Sequence, residues 1–304
     1  MSHRAVVLRL AALAPLLLVV ACAGRSNTVC RADIPLEDRQ GLMLAPVAVD
    51  GVTVPGIFDT GAQTSAVTEA LVNRLGLLGD DRHSSLMSGI GGEGTPQNDA
   101  LVERLELAGY DPASGHYPVF AVPVDAGHGQ PLGALIGADL ISHFDIDLDV
   151  TGRQASLYDL DRCPDPPPDW LATADQVPLD ISWTGRLKLT VQIDGHDVSA
   201  ILDSGATATV VDLPAAERLG VTEAQLAHEH GGAGFGAAGV AFNSVVHTFR
   251  SLQIGREHFA APHLSVLDRP LQEADMLLGL DWLRIHHVWI SYRRHRLFIA
   301  PLLG

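Results

Sequence analysis

One short sequence occurs twice in the chain, as Gly56-Ile57-Phe58-Asp59-Thr60-Gly61-Ala62 and as Ala200-Ile201-Leu202-Asp203-Ser204-Gly205-Ala206. In each copy an apolar run leads into a lone aspartate, which a hydroxyl residue and a glycine follow. The flanks keep the same offset, since Asp50-Gly51 returns as Asp194-Gly195. The chain therefore contains two related units, each with one carboxylate at its centre. Two carboxylates brought together can share a proton and activate water, so hydrolysis is the leading functional hypothesis.

The composition is that of a folded, acidic protein of two-domain size. The chain has 304 residues, of which 47% are hydrophobic, with 30 Gly and 18 Pro. This length allows two domains with their own cores, and the composition is typical of a turn-rich globular protein. The formal net charge of −16 disfavours binding to nucleic acid or to anionic membrane surfaces, so we expect no nucleic-acid partner.

The apolar pattern of both units is that of β-strands. Residues 187–193 alternate apolar and polar side chains, Asp194-Gly195 is typical of a hairpin turn, and 198–202 predict the returning strand. Residues 42–58 repeat this pattern. The sequence therefore predicts an all-β fold with one or two short helices in each unit. The remaining predicted elements are helices over 68–75 and 213–219 and closing hairpins over 146–158 and 288–299.

The first residues have the pattern of a bacterial targeting segment. Arg4 and Arg9 accompany an apolar stretch over 11–20 that is too short for an ordinary membrane-spanning helix. Ala21-Cys22 at its end resembles the lipobox of bacterial lipoproteins, which implies cleavage before Cys22 and lipidation of this cysteine. A plain secretory signal with an incidental cysteine is the alternative. The resemblance implies a periplasm-facing lipoprotein of the cell envelope, and the absence of aspartate after Cys22 favours the outer membrane.

A proline-rich segment divides the rest of the chain. Pro164 and Pro166-Pro167-Pro168 exclude a helix or a central strand, because proline lacks the backbone donor and fixes φ. We expect a linker there between the two units. The predicted division is 1–21 signal peptide, 22–33 tether, 34–160 first unit, 161–176 linker and 177–304 second unit.

Two further cysteines, Cys30 and Cys163, allow one disulfide bond. In the oxidising periplasm they could pair, which would tie the start of the first unit to the linker. Spacing alone does not establish the geometry, and two separate thiols are the alternative.

The repeated motif and its downstream companions resemble those of the aspartic peptidases. After Asp-Thr/Ser-Gly, each unit has a glycine-rich segment and then an apolar pair followed by Gly-x-Asp, at 135–139 and 277–281. The unit size and order are most similar to the retropepsin-like branch. Ser88-Gly89-Ile90-Gly91-Gly92 resembles the flap tip of retroviral proteases. The flap of the second unit is expected within 228–236. Its expected substrate-binding residues are Gly234, Phe235 and Gly236, with Phe235 in the place of Ile90.

The resemblance implies two tandem β-barrel units in one chain, related by a pseudo-two-fold axis. It implies catalytic roles for Asp59 and Asp203, which would meet across this axis and share one proton. Two hydroxyls would hydrogen-bond across the axis, and two glycines would leave no side chain in the way. These dyad-supporting residues are Thr60, Gly61, Ser204 and Gly205. Such chemistry needs no metal, cofactor or covalent intermediate.

The leading hypothesis is an aspartic endopeptidase that cleaves extended segments of periplasmic or envelope proteins. We expect a peptide or protein substrate, a lipid anchor, and a monomer whose two units form one site as an intramolecular pseudo-dimer. A catalytically inactive binding or scaffold lipoprotein of the same fold is one alternative. An enzyme whose units pair between chains is another.

Several other polar residues are candidate metal ligands or structural groups. The pair His228 and His230 could share one strand face, and His286-His287 lie near a closing hairpin, but no third ligand stands at a persuasive spacing. We therefore expect no metal site. Asp139 and Asp281 are expected to turn the chain or to pair with arginine.

Overall fold

The structure is a computed structural model that describes residues 30–110, 114–121, 130–160, 168–236 and 238–300. These residues form mostly β structure with a few short helices, which confirms the prediction that the fold is mostly β. The strands are β1 (Arg31–Pro35), β2 (Glu37–Arg39), β3 (Leu42–Val49), β4 (Val52–Phe58), β5 (Ala66–Thr68), β6 (Gly79–Ser85), β7 (Ser88–Gly89), β8 (Gly92–Glu93), β9 (Gln97–Val102), β10 (Leu105–Glu106), β11 (Gly115–Tyr117), β12 (Val119–Phe120), β13 (Ala134–Ile136), β14 (Asp145–Asp149), β15 (Gln154–Tyr158), β16 (Asp175–Pro178), β17 (Asp180–Ile181), β18 (Leu187–Ile193), β19 (His196–Leu202), β20 (Val210–Asp212), β21 (Gly231–Phe235), β22 (Ala241–Thr248), β23 (Ser251–Ile254), β24 (Glu257–Ala260), β25 (His263–Leu267), β26 (Met276–Leu278), β27 (His287–Ser291) and β28 (Arg296–Ile299). The helices are α1 (Glu69–Leu75), α2 (Ala138–Ile141), α3 (Leu213–Arg218), α4 (Glu223–Leu226) and α5 (Leu280–Leu283), with a 3-10 helix at Asp169–Ala172.

The two units build their main sheets with the same strand order. In the first unit the order is β10-β3-β4-β13-β5-β12, and in the second β23-β18-β19-β26-β20-β25 takes the equivalent positions. β13 and β26 lie parallel to the strands that precede the two aspartates. Within the described residues no closed barrel is found, and the pseudo-two-fold relation of the units stays a prediction.

The hairpins that lead to the aspartates turn where the sequence predicts. Asp50 and Gly51 have φ of 48° and 80°, and Asp194 and Gly195 have 54° and 82°. Positive φ at both central residues produces the turn twist that matches the twist of the flanking strands. Each hairpin therefore delivers its second strand, β4 or β19, in a fixed register to the centre of the sheet.

A six-stranded sheet joins the two units. Its order is β1-β15-β14-β27-β28-β16, so the closing hairpin of one unit lies beside that of the other. β14 and β27 are antiparallel, with Ile146 opposite Ile290 and Leu148 opposite Val288. All four of these side chains are buried. The sheet thus fixes the two units against each other through backbone pairing and apolar packing.

The first helix of each unit, α1 or α3, lies within one residue of the range that the sequence predicts, 68–75 or 213–219. Thr68 caps α1 by accepting a hydrogen bond from the Leu71 N–H, and Asp212 caps α3 in the same way from Ala215. Gly76 ends α1 in the left-handed conformation. The second unit contains α3, α4 and α5 among its described residues, one helix more than expected.

Regular structure extends into two segments that were expected to be connections. β1 begins at Arg31 inside the predicted tether, and both the 3-10 helix and the start of β16 lie in the predicted linker. The signal segment, Cys22 and Cys163 lie outside the described residues. Cys30 is disulfide-bonded. Its partner lies outside the described residues, so pairing with Cys163 stays a prediction. Within the described ranges, no helix has the length and apolar character needed to cross a membrane.

Candidate active site

The two repeated aspartates occupy equivalent positions at the centres of their sheets. Asp59 directly follows β4, and its N–H donates to Ile136 O at 3.0 Å. Asp203 directly follows β19, and its N–H donates to Leu278 O at 2.9 Å. Each aspartate thus sits where a strand ends beside a parallel neighbour, and this pairing fixes its backbone.

Backbone donors orient both carboxyl groups. Asp59 Oδ1 accepts from the N–H groups of Gly61 at 2.9 Å and Ala62 at 3.0 Å. Asp203 Oδ1 accepts from Gly205 at 2.8 Å and from the next residue at 3.1 Å. Each carboxyl group also lies against the glycine of the opposite loop. A methyl group on either glycine would collide with the opposite carboxyl, so only glycine fits there.

The hydroxyl residues next to the aspartates hold the loops together through crossed hydrogen bonds. Thr60 Oγ1 donates to Leu202 O at 2.7 Å and accepts from Ser204 N at 3.0 Å. Ser204 Oγ donates to Phe58 O at 2.6 Å and accepts from Thr60 N at 3.0 Å. Thr60 and Ser204 are buried, so water does not compete for these bonds. Each loop is therefore positioned by the backbone of the other unit.

Burial and proximity change the acidity of the pair. The pKa of Asp59 is raised well above its ordinary value, first by burial and then by the negative charge of Asp203. Burial also raises the pKa of Asp203, while the Gly205 N–H and the Asp59 side chain oppose that rise. Two neighbouring buried carboxyls cannot both ionise at low cost, which is the direction of both shifts in pKa.

In each unit, hydrogen bonds also connect a hydroxyl residue that follows the aspartate loop to the Gly-x-Asp motif. Asp139 Oδ1 accepts from the Ser65 N–H at 2.8 Å and from its hydroxyl at 2.7 Å, and Ser65 Oγ accepts from Gly137 N at 3.0 Å. In the second unit the Thr209 hydroxyl donates to Asp281 at 2.6 Å and accepts from the equivalent glycine N–H at 3.1 Å. The sequence predicted that these aspartates turn the chain or pair with arginine, and the partners that the structure gives them are hydroxyl and backbone N–H groups.

The two glycine-rich segments meet above the aspartates. In the first unit Ile90-Gly91 connects β7 to β8, and in the second a loop that includes Gly236 and Val240 connects β21 to β22. We call these two connections the first and the second flap tip. Gly91 packs against Val240, and Gly236 packs against Ile90 and Gly91 so closely that a side chain on either glycine would collide. The Arg269 guanidinium donates to Gly91 O and thereby ties the first tip to the second unit.

A cleft of about 740 Å³ lies between the aspartates and the two tips. Gly89, Ile90 and Gly92 line it from the first unit and Gly234, Phe235 and Gly236 from the second, whereas Gly91 is not among the described lining residues. That these residues bind substrate stays a prediction. Phe235 ends β21 and is 64% exposed, whereas the contact with the first tip is made further along, at Gly236 and Val240. Its equivalence to Ile90 stays a prediction.

Of the histidines that are near each other in sequence, His286 and His287 each lie beside a carboxylate, Glu257 and Asp147 respectively. Glu229 lies between the two candidate ligands of 228–230 and pairs with His247 Nδ1 at 2.9 Å. His286 is buried, stacks on Trp282 and lies 2.8 Å from Glu257. Within the described residues, the group with metal-ligand geometry is Asp80, His83 and His116, which sequence reasoning missed. His116 is far from Asp80 and His83 in sequence, and only the strand pairing brings it to them.

Comparison with known proteins gives one family and several partial relatives. The family model described as Aspartyl protease matches residues 45–140 and 189–282, which is more than half of the chain. DNA damage-inducible protein 1 of Kluyveromyces lactis is 32% identical over 129 residues, which are 42% of this chain and 30% of that protein. UBA domain-containing protein Mud1 of Schizosaccharomyces pombe is 35% identical over 123 residues, which are 39% of this chain and 35% of that protein. The chain spans about a third of the length of these relatives.

Among solved structures, Basic 7S globulin from soybean is similar with a TM-score of 0.49 and 13% sequence identity, over 89% of this chain and 94% of that one.

Proposed function

Because the chain belongs to the aspartyl protease family, we propose that it is an aspartic endopeptidase in which Asp59 and Asp203 act as one catalytic dyad. The observation that supports this proposal is the set of crossed hydrogen bonds made by Thr60 and Ser204, which holds the two aspartate loops against each other. An ordinary turn needs no such buried bonding to a second turn in the other half of the chain.

The proposed reaction uses the single proton that the dyad retains. The ionised carboxyl takes a proton from a water molecule, and the oxygen of this water attacks the peptide carbonyl carbon. The protonated carboxyl polarises the carbonyl and then helps to protonate the leaving amine. The dyad titrates as a pair, so neither Asp59 nor Asp203 has a fixed role as acid or base.

The substrate that suits this cleft is an extended peptide. The cleft lies under two β-hairpins that end in glycines, and exposed backbone in such hairpins can pair with a peptide strand. We propose that periplasmic or envelope proteins supply these segments. The proposal includes lipidation of Cys22, a location in the cell envelope, and a monomer in which both carboxyls come from one chain.

The test is cleavage of a quenched fluorescent peptide library by the wild type, Asp59→Asn and Asp203→Asn. Each variant is expected to lower the rate by about 10²- to 10⁴-fold, the usual contribution of an acid–base group, while circular dichroism shows a retained fold. Asp197→Asn, at an exposed position of β19, is the matched control and is expected to cleave at the wild-type rate. Undiminished cleavage by the double variant Asp59→Asn, Asp203→Asn would exclude the proposed mechanism.

Two further outcomes separate the alternatives. If the wild type binds peptides but cleaves none, the chain is a binding or scaffold protein of the same fold. If an equimolar mixture of Asp59→Asn and Asp203→Asn regains activity, units from different chains assemble the site, since a mixed pair can then combine two intact carboxylates. We expect no recovery in the mixture.

A further inference from the structure

Two histidines and an aspartate converge at the side of the first unit, on the sheet that carries its flap. The sheet has the order β11-β9-β6. Asp80 lies on β6, and its Oδ2 is 2.6 Å from His83 Nδ1 and 3.0 Å from His116 Nδ1 of β11. The two imidazole rings stack with centroids 4.0 Å apart. One carboxylate oxygen thus faces two imidazole nitrogens at the same time.

The local irregularity of β6 creates this convergence. The register between β6 and β9 shifts between Asp80 and Ser84, so β6 bulges over these residues. A regular strand would place Asp80 and His83 on opposite faces, because side chains alternate along a strand. The bulge instead turns His83 back toward Asp80. Bulges commonly redirect a side chain in this way next to functional sites.

A second buried carboxylate lies on the same face and has an oxygen without a partner. Asp99 of β9 is directly opposite Asp80 in the register, and Leu101, two residues further on, is opposite His116. Both aspartates are buried, and Asp99 Oδ1 has no hydrogen-bond partner among the described residues. Like charges at facing strand positions destabilise a sheet, and a buried unpaired oxygen adds to that cost. A cation at this point would offset both effects.

We propose that Asp80, His83 and His116 bind a zinc-class divalent cation, with the charge of Asp99 beside it. Two imidazole nitrogens and a carboxylate oxygen form a ligand set that zinc takes in proteins, with an open fourth position. Zinc bonds of about 2.0–2.2 Å at tetrahedral angles place neighbouring ligand atoms roughly 3.3 Å apart. The present separations of 2.6 and 3.0 Å need to open by less than an ångström, which the half-exposed histidine side chains permit.

The position of the site indicates what the ion would do. None of its three ligands lines the cleft that contains Asp59 and Asp203, so the ion is not part of the proposed peptide hydrolysis. It would join β6 to β11 across β9. Along the chain, the β7–β8 hairpin that carries the first flap tip comes between β6 and β9. A zinc-class ion here would therefore brace the base of the first flap.

The test is zinc binding by the full chain, produced without a polyhistidine tag and stripped with a chelator. Competition titration against a chromophoric chelator is expected to show one zinc ion per chain. His83→Gln and His116→Gln are each expected to weaken binding at least about tenfold. His258→Gln, at an exposed position of β24, is the matched control and is expected to bind zinc as the wild type does. The result that overturns the proposal is wild-type affinity in the double variant His83→Gln, His116→Gln, or no stoichiometric binding by the wild type.

A measurement on the wild type keeps the proposal testable if the variants fold poorly. Diethyl pyrocarbonate acylates accessible imidazole nitrogens, and peptide mass spectrometry locates the modified residues. Zinc is expected to slow modification of His83 and His116 at least about tenfold and to leave His258 unaffected, since a coordinated nitrogen has no free lone pair. Equal modification of all three histidines with and without zinc refutes the site.

Discussion

The crossed hydrogen bonds between the two aspartate loops predict a large and specific loss of stability. Thr60→Ala removes the hydroxyl that bonds Leu202 O and Ser204 N, and it leaves both backbone groups buried without a partner. A buried orphaned group costs about 1–3 kcal/mol, so the expected loss in the free energy of unfolding for two such groups is about 2–6 kcal/mol. Thr60→Ser keeps the hydroxyl and is expected to lose less than about 1 kcal/mol.

The assay is equilibrium urea unfolding at pH 7, followed by circular dichroism. Thr190→Ala, at an exposed position of β18, is the matched control and is expected to stay within about 0.5 kcal/mol of the wild type. Ser204→Ala is expected to match Thr60→Ala, because it orphans two backbone groups of the first unit. The double variant is expected to depart from additivity by about 0.5–3 kcal/mol, as residues in one network do. If Thr60→Ala lowers the free energy of unfolding no more than Thr190→Ala does, the crossed hydrogen bonds do not hold the two loops together.

Two further perturbations test the dyad and the flap tips. The pKa of Asp59 is raised above 3.8 by burial and by Asp203, so its contribution to stability is complete below pH 3.8 and is lost as pH rises through the folded-state pKa. Asp59→Asn is therefore expected to gain stability relative to the wild type between pH 4 and pH 7 in urea unfolding, whereas parallel pH curves would contradict this. Gly91→Ala adds a methyl group that collides with the Val240 backbone, so amide hydrogen exchange at both tips is expected to accelerate. Gly231→Ala, which meets only an ordinary contact, is the control, and equal exchange in the two variants would rule out the tip contact.

The features of the fold that the sequence predicts are those determined by residues close together along the chain. The roles expected of Thr60 and Ser204 rest on the resemblance to the aspartic peptidases and not on a local signal. The Asp-Gly turns, the alternation over 187–193 and the helix predicted over 68–75 are local signals, and the structure contains each of them. All of these follow from steric preferences within a few residues.

What the sequence could not predict depends on which distant strands pair. The histidines considered as ligands were those close in sequence, whereas His116 reaches Asp80 only through β9 and a bulge in β6. The tip contact between Gly91 and Val240 likewise depends on the relative position of two hairpins. A local pattern predicts a strand and its apolar face, but it does not determine which other strand pairs with it.

The shared sheet has a consequence for how the chain is made. β14 pairs with β27, and Asp145 accepts a hydrogen bond from Ser291, which lies 146 residues later. At a synthesis rate of about 5–20 residues per second, β14 is made roughly 7–30 s before β27, and one of its edges is unpaired during this time. Bare edges invite aggregation. β14 reads Asp-Ile-Asp-Leu-Asp, so its three carboxylates make the nascent edge repel copies of itself until the second half of the chain arrives.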